Sequence, residues 1–315
     1  MPNPMDAIRC SGLIKRYERG RVLALDGLDL AVPEGSVFGF LGPNGAGKTT
    51  AIKILTGLVE PTAGEAWVAG EPVTRSSARL RSQIGYLSQD PHFYSWMTGR
   101  ELLVFAGELF GTGRAAARRR ADELLEHSGL TRAATRRIGG YSGGMVQRLG
   151  IAQAIVSEPR ILFLDEPCAS LDPLGRRDVL GFVAHLRGKT TVLMSTHILE
   201  DVERVCDTVG IIDRGRMVAT AEMGEIATKF APPVLELEFE TPEAATAFRD
   251  LWSTQSRAVL AEVVGRKARL GTTDLSQARV DALRLIATRD LPLLRLEVLS
   301  ASLEDIFVRL VGGAP

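Results

Sequence analysis

Residues 41–50 read LGPNGAGKTT, with glycines at 42, 45 and 47 followed by Lys48, Thr49 and Thr50. So much glycine argues against regular structure through the segment, because glycine loses the most conformational freedom on ordering. The flanks read differently. SVFGFL (36–41) is a short apolar run suited to a buried strand, and KTTAIKILTGL (48–58) carries Ile52, Ile54, Leu55 and Leu58 near helical spacing. Strand, glycine turn and helix is the setting in which G-x-x-x-x-G-K-[ST] grips phosphate. Across Gly42, Pro43, Asn44, Gly45, Ala46 and Gly47 the backbone can turn several N–H groups inward around an anion. The following helix points its positive end at the same anion. Lys48 adds a point charge for the β- and γ-phosphates, and the Thr49 hydroxyl, beside Thr50, is placed to ligate Mg²⁺.

Such a site needs a carboxylate to hold the metal, and RILFLDEP (160–167) supplies one. Ile161 to Leu164 read as a strand buried on both faces. Asp165 then falls at the C-terminal end of that strand, where ligands bind in open α/β sheets, and is the expected Mg²⁺ ligand. Glu166 is the candidate to orient and deprotonate an attacking water.

The composition narrows the class. Lysine plus arginine and aspartate plus glutamate both number 38, so no basic excess suits the chain to coating nucleic acid. Cys10, Cys168 and Cys206 are scattered, which suggests neither a zinc site nor a disulfide framework and fits a reducing compartment. No run of about 18 apolar residues appears, so no transmembrane segment is expected, and MPNPMDAIRC lacks the apolar core of a signal peptide.

A second glycine-bearing stretch, YSGGM (141–145), opens the periodic VQRLGIAQAIV (146–156). It is another helix N-terminus bare enough to meet an anion. A chain with one lysine-bearing phosphate loop has use for a second grip if that grip serves the nucleotide of another subunit.

In motif order from residue 6 to 225 the chain resembles the ATP-binding subunits of ABC transporters. The resemblance implies the following roles. Tyr17 stacks on adenine, and Gly42 to Thr50 form the Walker A loop. Gln89, in IGYLSQD, touches Mg²⁺ and the attacking water and links to the membrane partner. Ser142, Gly143 and Gly144 are the signature that sandwiches ATP from the opposite subunit. ILFLDEP is Walker B with Glu166 catalytic, Asp172 of SLDP (170–173) lies at a dimer seam, and His197 of STH (195–197) contacts the γ-phosphate. Two positions depart from the usual signature L-S-G-G-Q: Tyr141 stands for leucine and Met145 for glutamine. Cys168 follows DEP where threonine or alanine is more familiar; it is either thiol-sensitive or kept inert by burial.

The implied fold is an α/β P-loop cassette with a RecA-like core, an antiparallel β subdomain and a helical subdomain at about 91–155, together spanning 6–228. Beside the Q-loop, PHFYSWMTG (91–99) clusters Phe93, Tyr94 and Trp96, as internal packing or as the lining of a groove for a membrane subunit. Arg118, Arg119 and Arg120 sit in a helical stretch with acidic partners at i+4, Asp122 and Glu123, and read as a solvated helix face. His92, His127 and His185 carry no motif.

APPV (231–234) signals a linker. From 233 to 315 the pattern changes to a small α+β domain. VLELEFE alternates as a half-buried strand, and Thr241 and Pro242 start a helix. Two strands flank Gly265, Asp274 and Gln277 make a capping-box-like start to a second helix, LLRLEVL is a last strand, and SLEDIFVRLVG (302–312) is a closing helix. The order βαββαβ predicts a ferredoxin-like module. From 231 onward it has 10 basic and 12 acidic residues, which does not suit nucleic-acid binding. This tail, with YSGG and methionine in the signature, resembles type-2 ABC exporter ATPases; the alternatives are an importer ATPase with a regulatory tail, or a soluble ABC ATPase acting on ribosomes or DNA. The exporter resemblance implies a separate polytopic membrane permease as partner, a homodimer or heterodimer of ATPase subunits, and a peripheral place on the cytoplasmic face of the cell membrane.

Overall fold

The computed structural model describes residues 6–74, 77–169, 171–230, 234–255, 261–271, 274–299 and 302–311. The linker signal at 231–233 and Ser170 of SLDP lie outside the described residues. The chain divides into two compact units, Met1–Met223 and Gly224–Pro315.

The first unit is built on a six-stranded sheet in the order Arg216–Glu222, Thr208–Asp213, Val37–Leu41, Thr191–Thr196, Ile161–Asp165 and Ile84–Leu87. The last five strands run parallel, and Arg216–Glu222 is the antiparallel edge. The apolar runs at 37–41 and 161–165 are buried at every position, as strands covered on both faces must be. A four-stranded antiparallel sheet, in the order Val22–Pro33, Asp6–Tyr17, Ala63–Val68 and Glu71–Pro72, shares its core with the first. Ile8, Leu13, Leu25 and Leu28 from the small sheet pack with Phe38, Phe40 and Phe163 from the large one, and Ile52, Ile54 and Leu55 belong to the same cluster. The helix of the phosphate motif is Lys48–Leu55; Leu58, read from the sequence as its last apolar position, lies beyond its end and is 54% exposed.

The helical segment comprises Gly99–Leu109, Arg114–His127 and Gly143–Ala154. Thr98 and Glu101 close a capping box at its entry. Gly107 lets the first two helices approach closely, since a Cβ there would stand 3.1 Å from Ala117 Cβ. The arginine triplet does not pair at i+4. Arg120 reaches Glu123 at i+3 and Glu158, while Asp122 pairs with Arg100.

In the second unit, Val234–Phe239, Pro242–Gln255, Ala261–Val264, Lys267–Gly271, Leu275–Arg289 and Leu293–Leu299 follow the order βαββαβ. The all-antiparallel sheet places its first strand between its third and fourth, which is the ferredoxin-like arrangement. Leu235, Leu237 and Phe239 alternate into a core with Phe248 and Trp252, whose rings stack 5.6 Å apart. The Asp274 carboxylate accepts from Gln277 N–H, but the Gln277 side chain turns to Asp281, so the capping box is half made. Ser302 and Asp305 form a full reciprocal box for the last helix, Leu303–Val311, which packs on Ile226–Phe230.

Candidate nucleotide site

The parallel register sets the site. Asp165 pairs with Ser195 and Leu41 with Thr196, so Gly42, Asp165, Glu166, Ser195 and His197 emerge together at the C-terminal edge of the sheet. Their cavity has a volume of about 560 Å³. Asn44, Gly45, Gly47, Lys48, Thr49, Thr50, Gln89, Glu166 and His197 line it.

Backbone geometry explains the glycines. Gly47 sits at φ +108°, and a Cβ on it would lie 2.5 Å from Ala24 O; a Cβ on Gly42 would lie 2.4 Å from Ile212 O. No side chain caps the Lys48–Leu55 helix, so its first N–H groups are free to meet an anion. Lys48 is 5% exposed, and its Nζ donates to Gly42 O at 2.7 Å and Pro43 O at 3.1 Å. It also pairs with Glu166 Oε1 at 3.3 Å, while Glu166 Oε2 lies 3.0 Å from His197 Nδ1. Three of the residues singled out from sequence thus form one chain of ionic and hydrogen-bonded contacts.

Thr49 Oγ1 donates to Asp165 Oδ1 at 3.1 Å. A hydroxyl and a carboxylate oxygen side by side are the hard donors that Mg²⁺ takes when phosphate and water supply the rest of its shell. The residues present therefore suit Mg²⁺.

Sequence reasoning missed Ser195. Its hydroxyl donates to Asp165 Oδ1 at 2.7 Å and accepts from Glu166 N–H at 3.0 Å. Glu166 is also held by Ser195 O and adopts φ +48°. Gln147 was missed as well: buried in the Gly143–Ala154 helix, it donates from Nε2 to Gln89 O at 3.2 Å. Only a tertiary view shows these links, because each joins residues dozens of positions apart.

The remaining sequence candidates lie elsewhere. Tyr17 ends its strand with Lys15 Nζ 5.0 Å from its ring centroid, and it is not among the cavity-lining residues. Ser142, Gly143 and Gly144 line a separate hollow of about 350 Å³ with Asp172 and Gly175. Ser142 caps its helix by accepting from Met145 N–H, and Asp172 caps Pro173–Ala184 by accepting from Gly175 N–H at 2.7 Å. At the two departures from the usual signature, Arg136 stands 5.3 Å from the Tyr141 ring centroid and 3.2 Å from Met145 Sδ. Cys168 is buried, and burial, reinforced by the charge of Asp201, pushes its thiol up to about 12. Its environment is therefore that of an inert thiol.

A phosphate cradle, a basic side chain at its base and a carboxylate–hydroxyl pair at the ends of parallel strands define a P-loop nucleotide hydrolase. Comparison with known proteins gives the family. A family model described as "ABC transporter" matches residues 25–169. The daunorubicin/doxorubicin resistance ATP-binding protein DrrA of Streptomyces peucetius is 39% identical over 317 aligned positions, covering 98% of this chain and 93% of that one. An uncharacterized ABC transporter ATP-binding protein of Bacillus subtilis is 47% identical over 203 residues, 64% of this chain and 67% of that one. A solved ATP-binding subunit of an ABC transporter superposes with a TM-score of 0.63 at 31% identity, over 71% of this chain and 93% of its own. The chain belongs to the ATP-binding, ATP-hydrolysing subunits of ABC transporters.

Proposed function

We propose that the chain is the ATPase of a type-2 exporter, working with a separate polytopic membrane permease from the cytoplasmic face of the membrane. The near full-length match to a drug-resistance ATPase carries this reading, because it includes the C-terminal unit as well as the cassette. Among the described residues no helix is long and apolar enough to cross a membrane, and in this reading a separate permease supplies the membrane path. Tyr94 and Trp96, 58% and 66% exposed with ring centroids 5.7 Å apart, give the permease an apolar landing surface in the segment that follows Gln89.

In this reading two ATPase subunits face head to tail. Each ATP lies between Gly42–Thr50 of one and Ser142, Gly143 and Gly144 of the other, with Tyr17 stacked on adenine and Asp172 at the seam. Thr49 and Asp165, helped by Gln89, would hold Mg²⁺, which would neutralise charge on the phosphates. Lys48 exchanges its carbonyl partners for phosphate oxygens. Glu166 orients the attacking water and takes its proton, and His197, already on Glu166 Oε2, fixes that carboxylate and meets the γ-phosphate. ATP bound by both subunits favours the closed dimer, and hydrolysis removes that preference.

The test is Glu166→Gln, tagged and purified from detergent-solubilised membranes with ATP and Mg²⁺. The expected result is a closed, ATP-dependent dimer without turnover that brings down a polytopic membrane protein. Ribosomal proteins or DNA in place of a membrane protein would refute the transporter reading. Normal hydrolysis by the variant would refute the role of Glu166.

A further inference from the structure

The Leu199–Val205 helix holds an aspartate that the scheme above does not use. Asp201 is 1% exposed. A carboxylate that deeply placed must be compensated by partners. Its Oδ1 accepts from Arg176 Nε at 2.5 Å, and its Oδ2 accepts from the Thr196 hydroxyl at 3.4 Å. Thr196 Oγ1 in turn accepts from Ile198 N–H at 3.0 Å. The residues on both sides of His197 are thus tied through Thr196 to one buried charge.

Arg176 belongs to the Pro173–Ala184 helix and lies one turn after its cap, where its N–H donates to Asp172 O at 2.9 Å. A second contact joins Arg176 Nη2 to Glu200 at 3.3 Å. Cys168, two residues past Glu166, is close enough to feel both charges of the pair. Two segments therefore converge on one ion pair: the Asp172 helix and the His197 loop.

We infer that Arg176 and Asp201 are positioning residues that transmit the placement of the Asp172 helix to His197, setting its geometry against Glu166. The inference rests on the roles proposed above for Glu166, His197 and Asp172. Neither residue touches nucleotide in this scheme. Each acts through the loop it holds, so its loss lowers turnover while nucleotide binding, which uses the Gly42–Thr50 cradle, is spared.

The experiment is steady-state ATP hydrolysis by the full chain, with thermal midpoints measured in parallel. Asp201→Asn and Arg176→Met are each expected to lower kcat by about tenfold or more, with KM for ATP changed less than about twofold. The double variant is expected to be no slower than the slower single one, because the two act as a unit. Arg176→Lys should recover part of the rate. In the Glu166→Gln background, Asp201→Asn should still form the ATP-dependent dimer. Variants that melt earlier yet keep kcat per folded molecule would overturn the inference, as would a raised KM with kcat unchanged. If Asp201→Asn fails to fold, Thr196→Val removes only the hydroxyl link, and an unchanged kcat there is equally fatal. His197→Ala separates the two layers: if it hydrolyses normally, the assigned role of His197 fails whatever the ion-pair variants do.

Discussion

Ser195→Ala removes a single oxygen from the floor of the site. Ser195 is fully buried, and its hydroxyl is one of two that reach Asp165 Oδ1, the other being Thr49 at 3.1 Å. The Glu166 N–H keeps Ser195 O at 3.2 Å, so the backbone donor is not orphaned. The loss is therefore mainly the bond to the buried carboxylate, and a hydrogen bond to a charged group contributes about 2 kcal/mol. In a unit of this size about 2 kcal/mol corresponds to a melting point lower by roughly 4–8 °C. With one of its two anchors gone, Asp165 is also less fixed beside Thr49, and half-maximal hydrolysis should require more Mg²⁺. Calorimetry of the nucleotide-free protein and a Mg²⁺ titration of ATPase activity read the two effects separately. A melting point within about 1 °C of the parent and an unchanged Mg²⁺ dependence would refute the reasoning, because a buried carboxylate cannot lose this partner without cost.

Two further outcomes follow from titratable groups. With all three cysteines buried and their thiols pushed up to about 12, alkylation of the native protein at pH 8 should be far slower than in urea, since only about one molecule in 10⁴ carries a given thiolate; fast labelling of Cys168 in the folded state would contradict its placement. In the second unit, hydrogen bonds from Lys267 and then Arg269 hold the Glu236 carboxyl below its usual range. Its contribution to stability is thus full above the unfolded value of about 4.3 and disappears as pH falls through the lower folded value. Denaturation of Glu236→Gln at pH 7 and pH 3 should show a smaller acid loss than the parent, and equal losses would remove Glu236 from the account.

Much of the site was legible because its parts are local in sequence. A glycine loop, a buried apolar run ending in Asp165, and Ser142 ahead of two glycines are each contiguous, and each chemistry needs that contiguity. The C-terminal alternation was legible for the same reason, since VLELEFE shows its inward face at every second residue. What escaped was long-range. Ser195 carries no local signal, and its meaning depends on the parallel register that sets it against Asp165. Asp201 and Arg176 lie 25 positions apart, and only the packing of two helices brings them together. Gln147 appeared as a polar residue on a signature helix, and its Gln89 carbonyl lies 58 positions earlier. Within Arg114–His127 the i+4 pairs do not form, because Glu123 is taken by Arg120 at i+3 and Asp122 by Arg100.

The left-handed backbone of Glu166 shapes how this position can drift among descendants of the chain. A β-branched residue would clash with its own backbone at φ +48°, whereas asparagine, aspartate and glycine tolerate that region. A lineage that stops needing hydrolysis can therefore shed the carboxylate cheaply through asparagine or glycine, but not through valine or isoleucine. Aspartate there would mark a shortened reach with the charge retained. Counting which replacements a large variant library accepts at position 166 would thus separate the demands of the chain's path from those of its chemistry.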